Sequence, residues 1–446
     1  MKRTILLTLL LSVAAYSFGQ TSQTIQINKE YPNINLDKTQ NLNYHFKLEK
    51  GGLYLFSVLQ KGIDVKLILT NDQESQILEK DSPNGQNGYE QFEYTPTETK
   101  TYHLKIARLE EAGNPEKGLV TLSTKRFSKS EIQIREKIKK EVEPENKKTV
   151  QTLDIDHFWE AFDNLKNCKT HIDSINAIQT LYLDRGTDGL LNFIEARNFT
   201  AEKFVNEINS LPKFYNSVRK NTYEVKSAAP LLDELVSKFQ NIYPNFIPKK
   251  ICFAIGLVNT GGTTSDNFLL IGTEVSTSTT NTDVSEFNNS SFSKVLASGE
   301  DVVQKIKNIV AHEYVHTQQR TPYDKNSIGC GLLYGCMREG FCDFIGELIS
   351  GSQINLVVHQ YGNEHENQLW KEFKNELCNN STRNWLYNYS TVKDKPADLG
   401  YYIGYKIAEE YYRNSLDKKQ AIIDIIEMND PIKFLQISKY DQKAKK

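Results

Sequence analysis

The sequence predicts a multidomain chain: an N-terminal antiparallel β-sandwich, then a mainly helical α+β domain with a small sheet. Three observations carry this reading. Short alternating segments separated by Gly, Asn and Pro turns fill residues 22–126. A Lys- and Glu-rich stretch, 127–150, breaks that pattern and reads as a solvated helix or linker. From 151 to 446 apolar residues recur at the three-to-four spacing of a helix, with one β interlude.

At the start of the chain, Lys2 and Arg3 precede an apolar run from Ile5 to Tyr16, and Ser17-Phe18-Gly19 supplies small residues behind it. This is the layout of a cleavable signal peptide over residues 1–19. The run is too short for a membrane span, and no second segment is long enough. No cysteine sits at the cleavage point to carry a lipid anchor. The expected location is therefore secreted or periplasmic. With 54 basic and 56 acidic residues, the chain shows no excess that points to nucleic acid. Its oligomeric state stays open.

The predicted strands are Tyr44–Leu48, Tyr54–Val58, Val65–Leu69, Phe92–Tyr94, Tyr102–Ile106 and Val120–Leu122. Turns fall at Gly51-Gly52, Asn71-Asp72, Pro83-Asn84-Gly85 and Gly113-Asn114-Pro115. The order Gly51-Gly52-Leu53-Tyr54-Leu55-Phe56, then Asp64 opening a strand, then Thr101-Tyr102-His103-Leu104-Lys105-Ile106, resembles the bacterial pre-peptidase domain. That module accompanies secreted peptidases.

In the helical part, His157-Phe158, Ala161-Phe162 and Leu165 set the period, and similar stretches run 172–184, 200–220 and 228–242. Ile251–Val258 and Asn267–Gly272 form the β interlude. Phe268–Gly272 is a candidate edge for an extended peptide, as well as an ordinary sheet strand. Residues 276–293 are rich in Ser, Thr and Asn and predict an exposed loop.

The segment Ile309-Val310-Ala311-His312-Glu313-Tyr314-Val315-His316 lies in a predicted helix, roughly 300–319. One turn apart, His312 and His316 share a helix face and reach one ion, and Glu313 is placed to orient a water. A hydrolytic zinc site uses three protein ligands and leaves one position for water. Glu339, in Met337-Arg338-Glu339-Gly340-Phe341-Cys342-Asp343-Phe344, suits the third place. Asp343 shares its helix face and can fix a ligand histidine's tautomer.

These two motifs together resemble the gluzincins, the clan of thermolysin-like peptidases and zinc aminopeptidases. More specifically they resemble bacterial predicted zinc-dependent proteases, where a Gly-Gly-Thr segment and a short strand precede the metal helix. Here those features match Asn259–Thr263 and Phe268–Gly272. The resemblance implies one catalytic Zn2+, a peptide or protein substrate, Glu313 as general base and Glu339 as third ligand. It also implies an oxyanion donor in Gly400-Tyr401-Tyr402-Ile403-Gly404-Tyr405, Tyr401 first and Tyr402 second. His359 and His365 read as surface histidines ahead of substrate-binding ones. The alternative is a non-catalytic envelope or adhesion protein retaining a structural zinc site; an intact Glu313 argues against it.

Six cysteines, three of them clustered at 330, 336 and 342, allow fifteen pairings. A bridge within the cluster would stiffen the approach to Glu339.

Overall fold

The computed structural model describes residues 22–82, 85–111, 113–288, 291–299, 301–320, 330–389 and 391–443. The predicted signal peptide and the Pro83-Asn84 half of one predicted turn lie outside the described residues. The chain forms two compact units, divided between Arg135 and Glu136.

The first unit is a β-sandwich. One sheet is antiparallel, in the order β2 (Glu30–Asp37), β9 (Lys117–Arg126), β4 (Tyr54–Lys61), β7 (Asn87–Tyr94). The other runs β1 (Gln23–Thr24), β3 (Leu42–Leu48), β8 (Lys100–Arg108), β5 (Val65–Thr70), β6 (Gln76–Lys80). It is mixed, because the two-residue β1 pairs parallel with β3. Alternation places one row of each strand inward: Val65, Leu67 and Leu69 of β5 are buried while Lys66, Ile68 and Thr70 are less so. The inward rows of both sheets meet in one core, with Phe56 between Phe46 and Phe92 at ring separations of 4.8 and 5.2 Å.

The charged stretch is a helix, α1 (Lys129–Asn146), and the division between the units falls inside it. Helices α2 (Leu153–Asn164), α3 (His171–Leu181), α4 (Asp188–Arg197), α5 (Ala201–Ser210), α6 (Pro212–Thr222) and α7 (Glu224–Ile242) follow. The predicted 200–220 stretch is two helices because Pro212, lacking an N–H, opens a new one.

A small sheet has the order β10 (Val150–Gln151), β11 (Lys250–Ala254), β13 (Phe268–Gly272), β12 (Gly262–Thr264). Strand β13 is interior, parallel to β11 and antiparallel to β12. The edge next to it is therefore β12, so of the two readings of Phe268–Gly272 the peptide edge is corrected and the ordinary sheet strand holds. Every residue of β13 is buried, as an interior strand requires.

The remaining helices are α8 (Thr273–Ser276), α9 (Ser291–Leu296), α10 (Val302–Gln318), α11 (Gly331–Ser350), α12 (Leu356–Glu376), α13 (Leu399–Asn414), α14 (Lys418–Ile426), α15 (Pro431–Ser438) and α16 (Tyr440–Lys443). Among the described residues, no helix is long and apolar enough to cross a membrane. The start of the Ser- and Thr-rich loop is buried, not exposed: Ser276, Thr277 and Ser278 are inaccessible. Their hydroxyls donate to Thr273 O, Thr273 O and Val275 O, and Lys305 Nζ donates to Ser278 O at 2.7 Å. Local bonds satisfy these polar groups, so burial is tolerated.

Glycines set the helix crossings. A Cβ on Gly340 of α11 would collide with the backbone of Tyr401, Gly404 and Tyr405 on α13. One on Gly404 would collide with Cys336 O and stand 3.0 Å from Gly340 Cα. One on Gly346 would stand 3.3 Å from the His312 amide nitrogen on α10. The bridge joins Cys330 to Cys378, tying the start of α11 to the end of α12. Cys336 and Cys342 are buried free thiols, so the predicted cluster is not bridged internally. Cys336 instead packs on Gly400.

Gly404→Ala is expected to lower the unfolding free energy by about 1–3 kcal/mol, since the added methyl meets backbone that cannot rotate away. Urea denaturation checks this. Gly335→Ala, whose Cβ would meet side chains at 3.3 and 3.4 Å, is the near-neutral control on α11, the helix that α13 crosses.

Candidate metal centre

Helix α10 begins at Asp301, whose side chain accepts from Gln304 N at 3.0 Å and caps it. Three turns on, His312 and His316 project together toward α11, with ring centroids 4.8 Å apart. His312 Nε2 and His316 Nε2 lie 3.1 Å apart. Glu339 Oε2 lies 3.1 Å from His316 Nε2 and 3.5 Å from His312 Nε2. Zinc bonds near 2.0–2.1 Å in a tetrahedron separate ligand atoms by about 3.3 Å. The three donors already have that spacing, so the residues present fit a zinc ion.

Each donor is held from behind. His312 Nδ1–H donates to Asp343 Oδ1 at 2.7 Å, and Asp343 Oδ2 accepts from Asn355 Nδ2 at 2.7 Å. His316 Nδ1–H donates to Gln319 Oε1 at 2.9 Å, and Gln319 Nε2 donates to Arg338 O at 2.8 Å. With Nδ1–H committed in both rings, Nε2 is the nitrogen that would give its lone pair to a cation in place of a proton. Glu339 Oε1 accepts from Tyr387 O–H at 2.7 Å, leaving Oε2 for the cluster. Burial opposes charge on His312, yet its bonds to Asp343 and Glu339 raise its pKa well above the ordinary value. Burial likewise opposes charge on Glu339, and the two histidines outweigh it and hold the carboxyl well below its usual range. The pocket thus favours a positive charge at its centre.

Glu313 lies against Gly262 of the edge strand: a Cβ there would stand 2.8 Å from Glu313 Oε1. Tyr401 stacks on His312 at 5.9 Å between centroids and 22° between planes. Its phenol is pushed well above the ordinary range by burial and by the Glu339 charge. Tyr402 is not at the centre. Its hydroxyl donates to Asn363 at 3.1 Å and Glu366 at 3.3 Å, because one step along α13 rotates the side chain away from α11. His359 is a core residue, 1% exposed between Tyr402 and Tyr405, and not a surface histidine. His365 stacks on Tyr361 and donates to its carbonyl at 2.9 Å, away from the cluster.

The sequence missed three residues that touch this site, Gln319, Asn355 and Tyr387, and read Cys342 near it for disulfide pairing only. Gln319 had a signal, three residues after His316 at the helix end. Tyr387 had none. It sits in a loop with left-handed φ of 56°, its N–H bonded to Asp398, and Asp398 N–H donates to Asn388 Oδ1 at 2.9 Å. The residue is 64% exposed while its hydroxyl turns inward. Cys342 Sγ lies within 4.8 Å of a nitrogen of each histidine. Burial pushes its thiol well up, so the closer, ionised Glu339 is the better third donor.

Residues 275–429 match the family model described as Predicted Zn-dependent protease (DUF2268). The matched segment contains α10, α11 and α13. No curated protein matches. Among solved structures, the pre-peptidase C-terminal domain of collagenase from Bacillus anthracis is 17% identical, covering 24% of this chain and 96% of that one, with a TM-score of 0.20. PliG of Aeromonas hydrophila, a periplasmic inhibitor of g-type lysozyme, is 8% identical, covering 24% and 96%, also at 0.20.

Glu274 anchors the approach to the edge strand. It accepts from Gly256 N at 2.8 Å and Val258 N at 3.0 Å, and Val258 is left-handed at φ 53°. Burial pushes its carboxyl up to about 7 from an ordinary 4.5. Between those values the folded chain keeps a proton that the unfolded chain releases, so stability should fall as pH rises through this window and level off above it. Denaturation midpoints across pH 4–8 check this, and Glu274→Gln should flatten that part of the slope. Asp343→Asn should weaken zinc binding by roughly 10–100-fold, read by chelator competition.

Proposed function

We propose that this chain is a secreted zinc-dependent peptidase that hydrolyses peptide bonds in its helical unit. The observation that carries this reading is the convergence of His312, His316 and Glu339 on one point, with the carboxylate of Glu313 next in the chain. When bound, zinc supplies an acidified water and polarises the scissile carbonyl. Glu313 takes the proton from that water and returns it to the leaving nitrogen. Tyr401 and Tyr387, both protonated beside Glu339, offer hydroxyls to the developing oxyanion. Asp343 and Gln319 hold the two imidazoles in the tautomer that ligation needs.

The edge strand supports an extended substrate. Gly272 N donates to Gly261 O and Ser265 N donates to Phe268 O, so those residues bond inward to β13. The pleat then turns the N–H of Gly262 and the N–H and C=O of Thr264 toward the open side, while the outward Gly262 carbonyl is taken by Thr260 Oγ1 and Arg197 Nη2. A peptide strand pairing there would pass Glu313, giving affinity through main-chain bonds with little sequence choice. The N-terminal run of apolar residues behind Lys2 and Arg3 supports export and, with it, an activity outside the cytoplasm.

The proximity of Cys342 favours a second reading, a closed four-donor site with no position for water. Cobalt-loaded protein separates the two: a sulfur-to-metal charge-transfer band would support the closed site. Glu313→Gln is expected to lower kcat by about 10²–10⁴-fold on a peptide library while zinc content stays at one per chain. Unchanged cleavage by that variant would remove Glu313 from the mechanism.

A further inference from the structure

The open edge of β12 is closed at one end by a cation. Arg197, the last residue of α4, sends Nη2 to Thr260 Oγ1 at 3.1 Å and to Gly262 O at 3.5 Å. Thr260 Oγ1 itself donates to Gly262 O at 2.6 Å. Gly262 O is one of the groups the pleat turns away from β13, so the guanidinium stands on the side where a substrate strand would lie. Its Nε–H is buried without a hydrogen-bond partner among the described residues. No carboxylate forms an ion pair with it among those residues. Burial works against its charge, and the charge that offsets this is Glu313. A half-buried cation with an unused donor is costly to keep unless something binds it.

We infer that Arg197 determines specificity by taking the carboxylate of a peptide's C-terminal residue, placed on the leaving-group side of the scissile bond. The side follows from Glu313. That carboxylate passes its proton to the leaving nitrogen, so a group beside Glu313 faces the leaving fragment. An N–H fork of Arg matches a carboxylate better than a neutral amide, and the charge-assisted bond is the stronger one. Arg197 and Thr260 take the outward carbonyl of Gly262, so pairing along β12 ends there and the leaving side is short. The substrate class is therefore peptides with a free carboxyl terminus close behind the cleaved bond. This rests on the peptidase reading above.

The test uses one N-acetylated peptide library in two forms, free acids and C-terminal amides, with full-length zinc-loaded protein. The acids should be cleaved with kcat/KM about tenfold or more above the amides, the value of one charge-assisted bond. Arg197→Gln should bring that ratio to about one by slowing the acids, at unchanged zinc content and circular dichroism. Arg197→Lys should restore part of it. Without turnover, zinc-loaded Glu313→Gln protein should bind a fluorescent acid-ended peptide more tightly than its amide, and adding Arg197→Gln should erase the difference. Equal rates for acids and amides, or a ratio that survives Arg197→Gln, would overturn the role of Arg197 alone. Cleavage of neither form would overturn the peptidase reading, and the binding difference would then decide Arg197 by itself.

Discussion

Where α11 crosses α13, Gly340 and Gly404 carry no side chains, and the two helix backbones touch. This contact governs the site around it. Glu339 precedes Gly340, so the crossing sets how far its carboxylate reaches toward α10. Tyr401 precedes the other glycine by three residues, and its ring lands on His312. Gly346 repeats the device six residues along α11, bringing that helix against the amide of His312. Backbone contacts are less adjustable than side-chain contacts. Donor positions set by them are therefore prepared before any metal arrives.

Within this frame the polar groups are paired outward and unpaired inward. Asp343, Gln319 and Tyr387 take the far atoms of His312, His316 and Glu339. The remaining atoms, two Nε2 and one Oε2, face one another across 3.1–3.5 Å. Buried polar atoms crowded in this way cost stability unless a cation or proton sits among them. Arg197 and Glu313 likewise both lie against Gly262 of the edge strand, and the Glu313 charge partly offsets the burial of the Arg197 cation.

The strands around Tyr54 and Val65 were legible because a two-residue period needs only neighbours in sequence. The histidine pair and Glu339 were legible because helical spacing puts chemistry on one face. The buried Ser276–Ser278 turn was not, since its polarity is satisfied by bonds to Thr273, Val275 and Lys305 that composition does not display. Tyr402 was set beside Tyr401 as a candidate, and one step of helix rotation separated them. Phe268–Gly272 was open between a peptide edge and an ordinary strand, and the sheet order decided for the ordinary strand, because strand order depends on crossovers rather than on the apolar run.

By itself the sequence determined a β unit, a helical unit and a His312–Glu313–His316 face, because periodicity and one-turn spacing are local. It also supplied Glu339 and Asp343, four residues apart on one helix. Tertiary structure alone decided that Tyr387 meets Glu339 from a loop 48 residues on, that Cys330 joins Cys378, and that Arg197 stands at the edge strand beside Glu313. Those choices depend on helix crossings and sheet order. They join residues whose separation along the chain carries no local period.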